Sequence, residues 1–429
     1  MTPAQVLEAA AWSTRSPGRR VTRRASPNFR RCGVGPEPSG GHRGGHLVEL
    51  ALGRRQPLLA LGGALVGRRD PVARPGDSMR RPSDTIAIVR IGVGYPGSAR
   101  IEHASRDFDA IASTGASVVV LAASEEDALE HPAHLGALVA EARDRSLEVR
   151  VAPRGVLGLF AGGGASIAVA REPSLRQRLT DGTHVPAACP NDPGAGAWLE
   201  RWLVAVLAAH PDAIAWAEPR LWIPARDPWH AGRRDAWACA CDGCLDAWAL
   251  GRHDAPGGTM PTSFTPEVRA FRRRSLVGLL EPGIARAHRA GLRNVLTVAA
   301  ATGDHPEALA WDELVALAYV DGLGTDACGE IDASAVDEVS FRARRLVRAA
   351  RGRVAPHLRL SVEGIRAGRE ELLVAAVAAA ASAGVDEIVV RAWPDAEPTS
   401  HADGASGAPA TIPGSAAWRL LADAALAAR

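Results

Sequence analysis

Two glutamates stand where a carboxylate could do chemistry. Glu218 directly follows the short apolar run 213–217, and Glu363 follows the apolar run 358–362. Pro219 ends any strand after Glu218, because proline cannot donate to a sheet ladder. Two carboxylates that face each other across a cleft suit glycoside hydrolysis, in which one protonates the leaving oxygen and the other attacks or activates water. The sequence therefore predicts Glu218 and Glu363 as a catalytic pair; for each, a structural ion pair with arginine is the alternative.

Four cysteines form a second group with chemical potential: Cys189, Cys239, Cys241 and Cys244. The last three follow a C-x-C-x2-C spacing, which suits a tetrahedral Zn²⁺ whose role is structural, since four thiolates leave no position open for water. His230 and His253 are alternative fourth ligands. Six cysteines in 429 residues do not make a dense disulfide framework, so we predict metal binding in a reducing, cytoplasmic compartment.

The elements that must position these residues alternate regularly from residue 85 onward. Eight apolar runs, each followed by a helical pattern, are predicted as strands: 86–93, 117–122, 148–152, 213–217, 294–299, 319–324, 358–362 and 387–391. Continuous apolar runs are typical of parallel strands that helices cover on the outside. The pattern therefore predicts an α/β chain folded as a single (β/α)8 barrel. An open doubly wound sheet is the alternative, but the sequence has no glycine-rich dinucleotide fingerprint.

The first 82 residues differ from the rest in composition. They hold fifteen of the 50 basic residues and five of the 48 acidic residues, so residues 83–429 carry a formal charge of −8. We interpret 1–82 as a disordered arginine-rich segment, of which residues 1–78 would precede a true start at Met79, and 83–429 as a catalytic barrel domain. A twin-arginine-like export signal at Arg54-Arg55 is the alternative. The acidic barrel argues against a nucleic-acid partner, and no stretch has the ~20 apolar residues of a membrane span.

Substrate contacts are expected at the C-terminal ends of the strands, where barrel enzymes build their active sites. The candidates at or near those ends are Tyr95, Trp222, Asp326, Arg391 and Trp393. Indole rings are large, flat and apolar, and they suit the C–H faces of a sugar. The predicted partner is therefore a carbohydrate substrate, and the sequence is compatible with an oligomer.

The stretch from Cys189 to Trp248 resembles the β-galactosidases of glycoside hydrolase family 42, which belong to the clan A glycoside hydrolases. The similar features are Ala-Cys-Pro-Asn-Asp-Pro at 188–193, a tryptophan-rich helix, His-Pro at 210–211, Glu218 and the three-cysteine spacing. The resemblance implies a clan A barrel with a structural zinc. It also implies a retaining mechanism with Glu218 as acid/base and Glu363 as nucleophile, and it makes Trp393 the sugar-stacking aromatic.

Two positions depart from the family pattern. Ala217 replaces the asparagine that would bond the sugar 2-hydroxyl, and Pro219-Arg220 replaces an aromatic residue. These departures make the chain a divergent relative and leave open a non-catalytic carbohydrate-binding barrel. A third hypothesis is a metal-dependent hydrolase or lyase, but the ends of strands one, five and six lack the histidines that it would need.

Overall fold

The computed structural model describes residues 89–161, 166–222, 239–251, 261, 265–298, 311–326, 333–361, 369 and 371–391. Ten strands lie in this part of the chain: β1 Arg90–Tyr95, β2 Val118–Ala123, β3 Glu148–Pro153, β4 Arg176–Arg178, β5 His184–Ala188, β6 Ala213–Ala217, β7 Arg293–Val298, β8 Gly322–Asp326, β9 Ala355–Ser361 and β10 Glu387–Arg391. Eight close into a parallel barrel in the order β1-β10-β9-β8-β7-β6-β3-β2, while β4 and β5 form a separate antiparallel pair. The predicted barrel is confirmed.

Helices connect the barrel strands and pack around them. They are α1 Ile101–Ser113, α2 Glu125–Leu129, α3 Pro132–Arg143, α4 Ile167–Arg171, α5 Pro193–Ala208, α6 Asp242–Gly251, α7 Pro266–Arg289, α8 Trp311–Val315, α9 Ala333–Ala350 and α10 Glu371–Ser382. The start of α7 is the predicted one: the Thr265 side chain accepts from the Val268 amide, and Pro266 occupies the first position. A proline fits there because that amide has no partner inside the helix. None of the described helices combines the length and apolar character needed to cross a bilayer.

The main apolar core lies between the barrel and its helices, not inside the barrel. On β1, Val93 and Tyr95 point outward and pack with Phe108 of α1. Because side chains alternate between the two faces of a strand, the residues between these outward-facing positions point into the barrel. There Ala152, Ala215 and Ala217 form a small cluster of their own.

Three parts of the fold differ from the sequence prediction. Strands β8 and β9 are shifted from the predicted runs 319–324 and 358–362, because Tyr319 takes a positive φ of 69° in a turn and β9 begins at Ala355. The β4–β5 pair and the short helices α2 and α6 lie in loops for which no element was predicted. The described residues all belong to one unit, Met79–Arg429. The predicted disordered segment 1–82 lies outside the described residues and stays a prediction.

Candidate functional site

Glu218 lies where the chain leaves β6, the fourth barrel strand. Its amide donates to the Thr297 carbonyl oxygen of β7 at 2.7 Å, and its φ is +46°. The residue is 9% exposed. A non-glycine residue in this left-handed region carries strain of about 1–3 kcal/mol, and such strain concentrates at functional sites. The local backbone thus holds the Glu218 carboxylate at the C-terminal end of the barrel at a conformational cost.

An arginine on the seventh barrel strand joins the ends of the fourth and sixth strands. Arg359 donates through one guanidinium nitrogen to a Glu218 oxygen and to Asp326 Oδ2, the latter at 2.7 Å, and its Nε donates to Asp326 Oδ1. Arg220 approaches the other Glu218 oxygen at 3.6 Å. Two nearby positive charges stabilise the ionised carboxylate of Glu218 over its neutral acid.

A cavity of about 120 Å³ lies next to this ion-pair network. Polar side chains from three strand regions reach it: Arg150, Arg154, Thr297, His357 and Arg359. Most of the remaining lining is apolar, mainly alanine and valine. Ala217 belongs to this lining and places the cavity directly beside the backbone of Glu218.

The predicted substrate-binding residues have different positions. Asp326 is part of the ion-pair network. Tyr95 borders the cavity at the end of β1, but its side chain points outward to Phe108 and its hydroxyl donates to Asp107 Oδ2 at 2.7 Å. Burial together with that hydrogen bond raises the pKa of Tyr95. Trp222 is half-buried between the main core and the cysteine cluster. The assignments of Asp326, Tyr95 and Trp222 as substrate contacts stay predictions.

Three predicted residues cannot be placed against Glu218. Glu363 and Trp393 lie outside the described residues, and Arg391 is described only as the last residue of β10. The pairing of Glu218 with Glu363 therefore stays a prediction, as does the sugar-stacking role of Trp393.

Two other charged residues that follow barrel strands have structural partners. Glu125 is buried and accepts hydrogen bonds from the amides of Leu157 and Ala168 at 2.8 and 2.9 Å. Its carboxylate therefore ties the segment after β3 to the barrel. Arg154 donates to Asp127 Oδ2 at 3.2 Å, and its side chain is 36% exposed.

His357 and Arg359 are site residues that sequence reasoning missed. They lie on β9 at alternate positions, and both line the cavity. Burial, and after it the charge of Arg150, lower the pKa of His357 to about 3, so the ring is neutral at physiological pH. The signal in the sequence is the alternation Pro-His-Leu-Arg-Leu at 356–360. It places the two polar residues, His357 and Arg359, on the same side of a strand.

The four predicted metal ligands do come together. Cys189 follows β5, Cys244 lies in α6, and their Sγ atoms are 3.3 Å apart; all four sulfur atoms lie within 4.8 Å of one another. The four cysteines are unpaired by disulfides. A cluster of this kind could hold a metal ion. His230 and His253, the alternative ligands, lie outside the described residues.

Nitrogen donors and apolar side chains surround the cysteines. The Arg178 amide donates to Cys239 Sγ at 3.4 Å, and Asn191 Nδ2 donates to Cys244 Sγ at 3.2 Å. Hydrogen bonding with Cys189 lowers the pKa of Cys241. A separate apolar cluster encloses the group and includes Leu179, Val185, Trp248, Val268 and Phe271. These contacts are typical of thiolate ligands in a closed site.

Comparison with known proteins concerns the fold alone. No family model and no curated protein matches the sequence. The structure is similar to the catalytic domain of β-amylase from Paenibacillus polymyxa, with a TM-score of 0.53, 12% identity, and coverage of 71% of this chain and 92% of that chain. The GH5_18 protein from Streptomyces cattleya in complex with GlcNAc gives 0.49, 14%, 79% and 80% in the same order. The similarity to the β-amylase domain shows a shared barrel fold.

Proposed function

We propose that this barrel is a glycoside hydrolase that cleaves an O-glycosidic bond with Glu218 and Glu363, by a retaining mechanism. One observation carries the proposal: a buried glutamate in a strained backbone conformation at the end of the fourth strand, beside a cavity. Fold similarity to a β-amylase is compatible with it. In this mechanism Glu218 protonates the leaving oxygen and Glu363 attacks the sugar.

Arg359 sets a condition on the role of Glu218. A general acid must carry a proton, whereas the Arg359 ion pair favours the charged carboxylate. Arg359 keeps two hydrogen bonds to Asp326 if it leaves Glu218. We infer that substrate binding shifts Arg359 fully onto Asp326 and so lets Glu218 take up the proton that it later donates.

Turnover of aryl glycosides by the purified chain tests the proposal. Glu218→Gln keeps the shape of the side chain but cannot donate an acidic proton, so turnover should fall by about 10²–10⁴-fold. Glu126→Gln is the matched control: this glutamate also follows a barrel strand, but its side chain is 65% exposed. Equal turnover by the wild-type chain and Glu218→Gln would remove Glu218 from the mechanism.

A non-catalytic carbohydrate-binding barrel is the second candidate. It is favoured by the two arginines that hold the Glu218 carboxylate and by Ala217, which has no side chain to bond a sugar hydroxyl. Calorimetry with the same glycosides separates the two candidates. Sugar binding without turnover, unchanged in Glu218→Gln, would identify the binding protein.

We also propose that the four cysteines hold a structural Zn²⁺. Zn–S bonds of ~2.3 Å place tetrahedral sulfur atoms about 3.8 Å apart, and the spacing of up to 4.8 Å needs only small shifts. Four thiolates and an apolar enclosure leave no place for a substrate. When bound, the ion would tie Cys189 after β5 to Cys244 of α6. Trp222 packs against the same cysteine cluster, and its amide donates to Gln177 Oε1 of β4 at 3.3 Å.

Metal analysis tests the zinc site. The wild-type chain should carry about one zinc, and Cys241→Ser should lose most of it, because a serine hydroxyl is a poor substitute for a thiolate. Cys328→Ser is the control, since this cysteine is not one of the four. Full zinc content in Cys241→Ser would contradict the assignment. A reducing cytoplasmic compartment, which keeps thiols available for metal, stays part of the proposal.

A further inference from the structure

The part of the barrel interior near the C-terminal ends of the strands is lined by unusually small side chains. Barrel interiors of this fold are generally packed with valine, isoleucine and leucine. Here glycine and alanine occupy many inward positions next to the cavity: Gly94, Ala122, Ala152, Ala215 and Ala217. The cavity of about 120 Å³ is the space that larger side chains would fill.

Three residues in register across β7, β8 and β9 build one wall of this cavity. Thr297 pairs with Gly324, and Gly324 pairs with His357. The imidazole lies over Gly324, where an added Cβ would come 1.9 Å from Nε2, and it reaches Thr297 Oγ1 at 2.8 Å. Only glycine at position 324 leaves room for the ring to cross its strand.

The other ring nitrogen of His357, Nδ1, is buried and has no hydrogen-bond partner among the described residues. The residue is 4% exposed, and Nδ1 makes no hydrogen bond within the part of the chain that the structure describes. Arg150 nearby is occupied, because it donates to both oxygens of Glu387 and, through Nε, to Glu148 at 2.8 Å. A buried polar atom left unpaired destabilises the fold, so a ligand group that bonds Nδ1 would gain free energy.

We propose that the barrel interior binds an aromatic ring that carries one hydrogen-bonding group, a class represented by phenol. That group would form a hydrogen bond with Nδ1 of His357. A cavity of about 150 Å³ with apolar walls accommodates benzene, which is close to the size found here. The alanines and valines of the lining suit the apolar ring, and the hydrogen-bonding group of the ligand is left for His357.

This assignment goes beyond the proposed hydrolysis and does not depend on it. Glu218, Asp326 and Arg359 form hydrogen bonds at the strand ends, whereas His357 and Thr297 lie deeper in the barrel. Ring binding is measured without turnover, so an inactive chain can still confirm or exclude it.

Calorimetric titration of the full chain with phenol tests the assignment. Phenol should bind, and benzene should bind about tenfold more weakly because it lacks the hydrogen bond to His357. Ala215→Leu fills the cavity and should abolish phenol binding. Ala197→Leu adds the same atoms at an exposed position of α5 and should leave binding unchanged.

A second readout addresses the histidine without replacing it. In a chain with ¹⁵N-labelled histidine, phenol should shift the Nδ1 resonance of His357, and benzene should not. The proposal is overturned if the folded wild-type chain does not bind phenol, if Ala215→Leu binds it as well as the wild type does, or if benzene and phenol bind equally.

Discussion

At the N-terminal end of the barrel interior Arg150 joins two carboxylates, Glu387 and Glu148, and at the C-terminal end Arg359 likewise joins Glu218 and Asp326. Arg150 and Glu387 are 3% and 4% exposed, and one of their two hydrogen bonds measures 2.6 Å. Glu148 completes this group and is contacted by Arg90 and Arg293 as well as by Arg150. The lower ion-pair group therefore consists of Arg90, Glu148, Arg150, Arg293 and Glu387, while the upper ion-pair group consists of Glu218, Arg220, Asp326 and Arg359.

The difference between the two groups lies in the exposure of their carboxylates and in the strain of the backbone. In the lower group, burial on its own would raise the pKa of Glu148, but the charges and hydrogen bonds of Arg150 and Arg90 lower it to about 2. In the upper group the side chain of Asp326 is 30% exposed, against 17% for Glu148 and 6% for Glu387 in the lower group, and Glu218 has a strained backbone. We therefore expect the lower group to hold its end of the barrel in place and the upper group to rearrange more readily when a ligand binds.

Removal of the central lower arginine should have the largest effect on stability. Arg150→Met leaves Glu387 buried without its main partner, and loss of one member of a buried pair costs about 3–5 kcal/mol. Urea unfolding followed by tryptophan fluorescence measures the change. Arg154→Met is the control and should cost less than about 1 kcal/mol, because its ion pair with Asp127 is partly exposed. Equal losses in the two variants would mean that the lower group is not enclosed.

Acid should weaken the fold through His357 before it acts on the lower group. The folded protein resists protonation of His357 down to about pH 3, whereas the unfolded chain takes up that proton near 6.5. The free energy of unfolding should therefore fall as the pH drops from 6.5 to about 3, by about 1.4 kcal/mol for each unit.

Glu148 adds a second loss at lower pH. The pKa of Glu148 is 4.5 in the unfolded chain and about 2 in the folded protein. The stability that Glu148 contributes is therefore present above pH 4.5 and is lost as the pH falls toward 2. Urea unfolding at pH 7, 5.5 and 4.5 separates the two effects. His357→Gln should remove the decline above pH 5, and a flat wild-type profile over that range would contradict the burial of a neutral imidazole.

The wall of the cavity predicts a smaller loss. Gly324→Ala places a methyl group 1.9 Å from the present position of His357 Nε2, and the forced shift should cost about 1–3 kcal/mol. Gly136→Ala is the control: this helical glycine of α3 has open space around it, so the substitution should stabilise by up to about 1 kcal/mol. In a His357→Ala background, Gly324→Ala should cost almost nothing, and an undiminished cost there would rule out the clash.

The smallest effect is expected in the upper group. Arg359→Met should cost about 1–2 kcal/mol, less than Arg150→Met, because Glu218 keeps Arg220 as a partner and the side chain of Asp326 is 30% exposed. The measurement is again urea unfolding, side by side with Arg150→Met. A loss as large as that of Arg150→Met would show that the upper group is as rigid and enclosed as the lower one.

Much of the fold could be predicted because its signals are local. The strand β6 was placed correctly from one apolar run, and the start of α7 from the Thr-Pro pair at 265–266. Strand β9 was placed three residues too late because His357 and Arg359 interrupt its apolar pattern. Those polar residues face the barrel interior, and a prediction based on continuous apolar runs excludes them.

The candidate site could be predicted only in part. Glu218 and the four cysteines were identified from the residues beside them in the sequence, and the structure places the cysteines together. The partner of Glu218 could not be found in this way, because Arg359 is 141 positions away and lies on a strand three places along the barrel.

The sequence by itself determined the alternation of strands and helices, the place of Glu218 at a strand end and the cysteine spacing, since each depends on neighbouring residues. Only the tertiary structure decided which inward side chains meet. Closure of the barrel sets the register between strands, and that register brings His357 across Gly324 to Thr297. It also places Arg359 between Glu218 and Asp326, because contacts across a closed sheet depend on strand order rather than on distance along the chain.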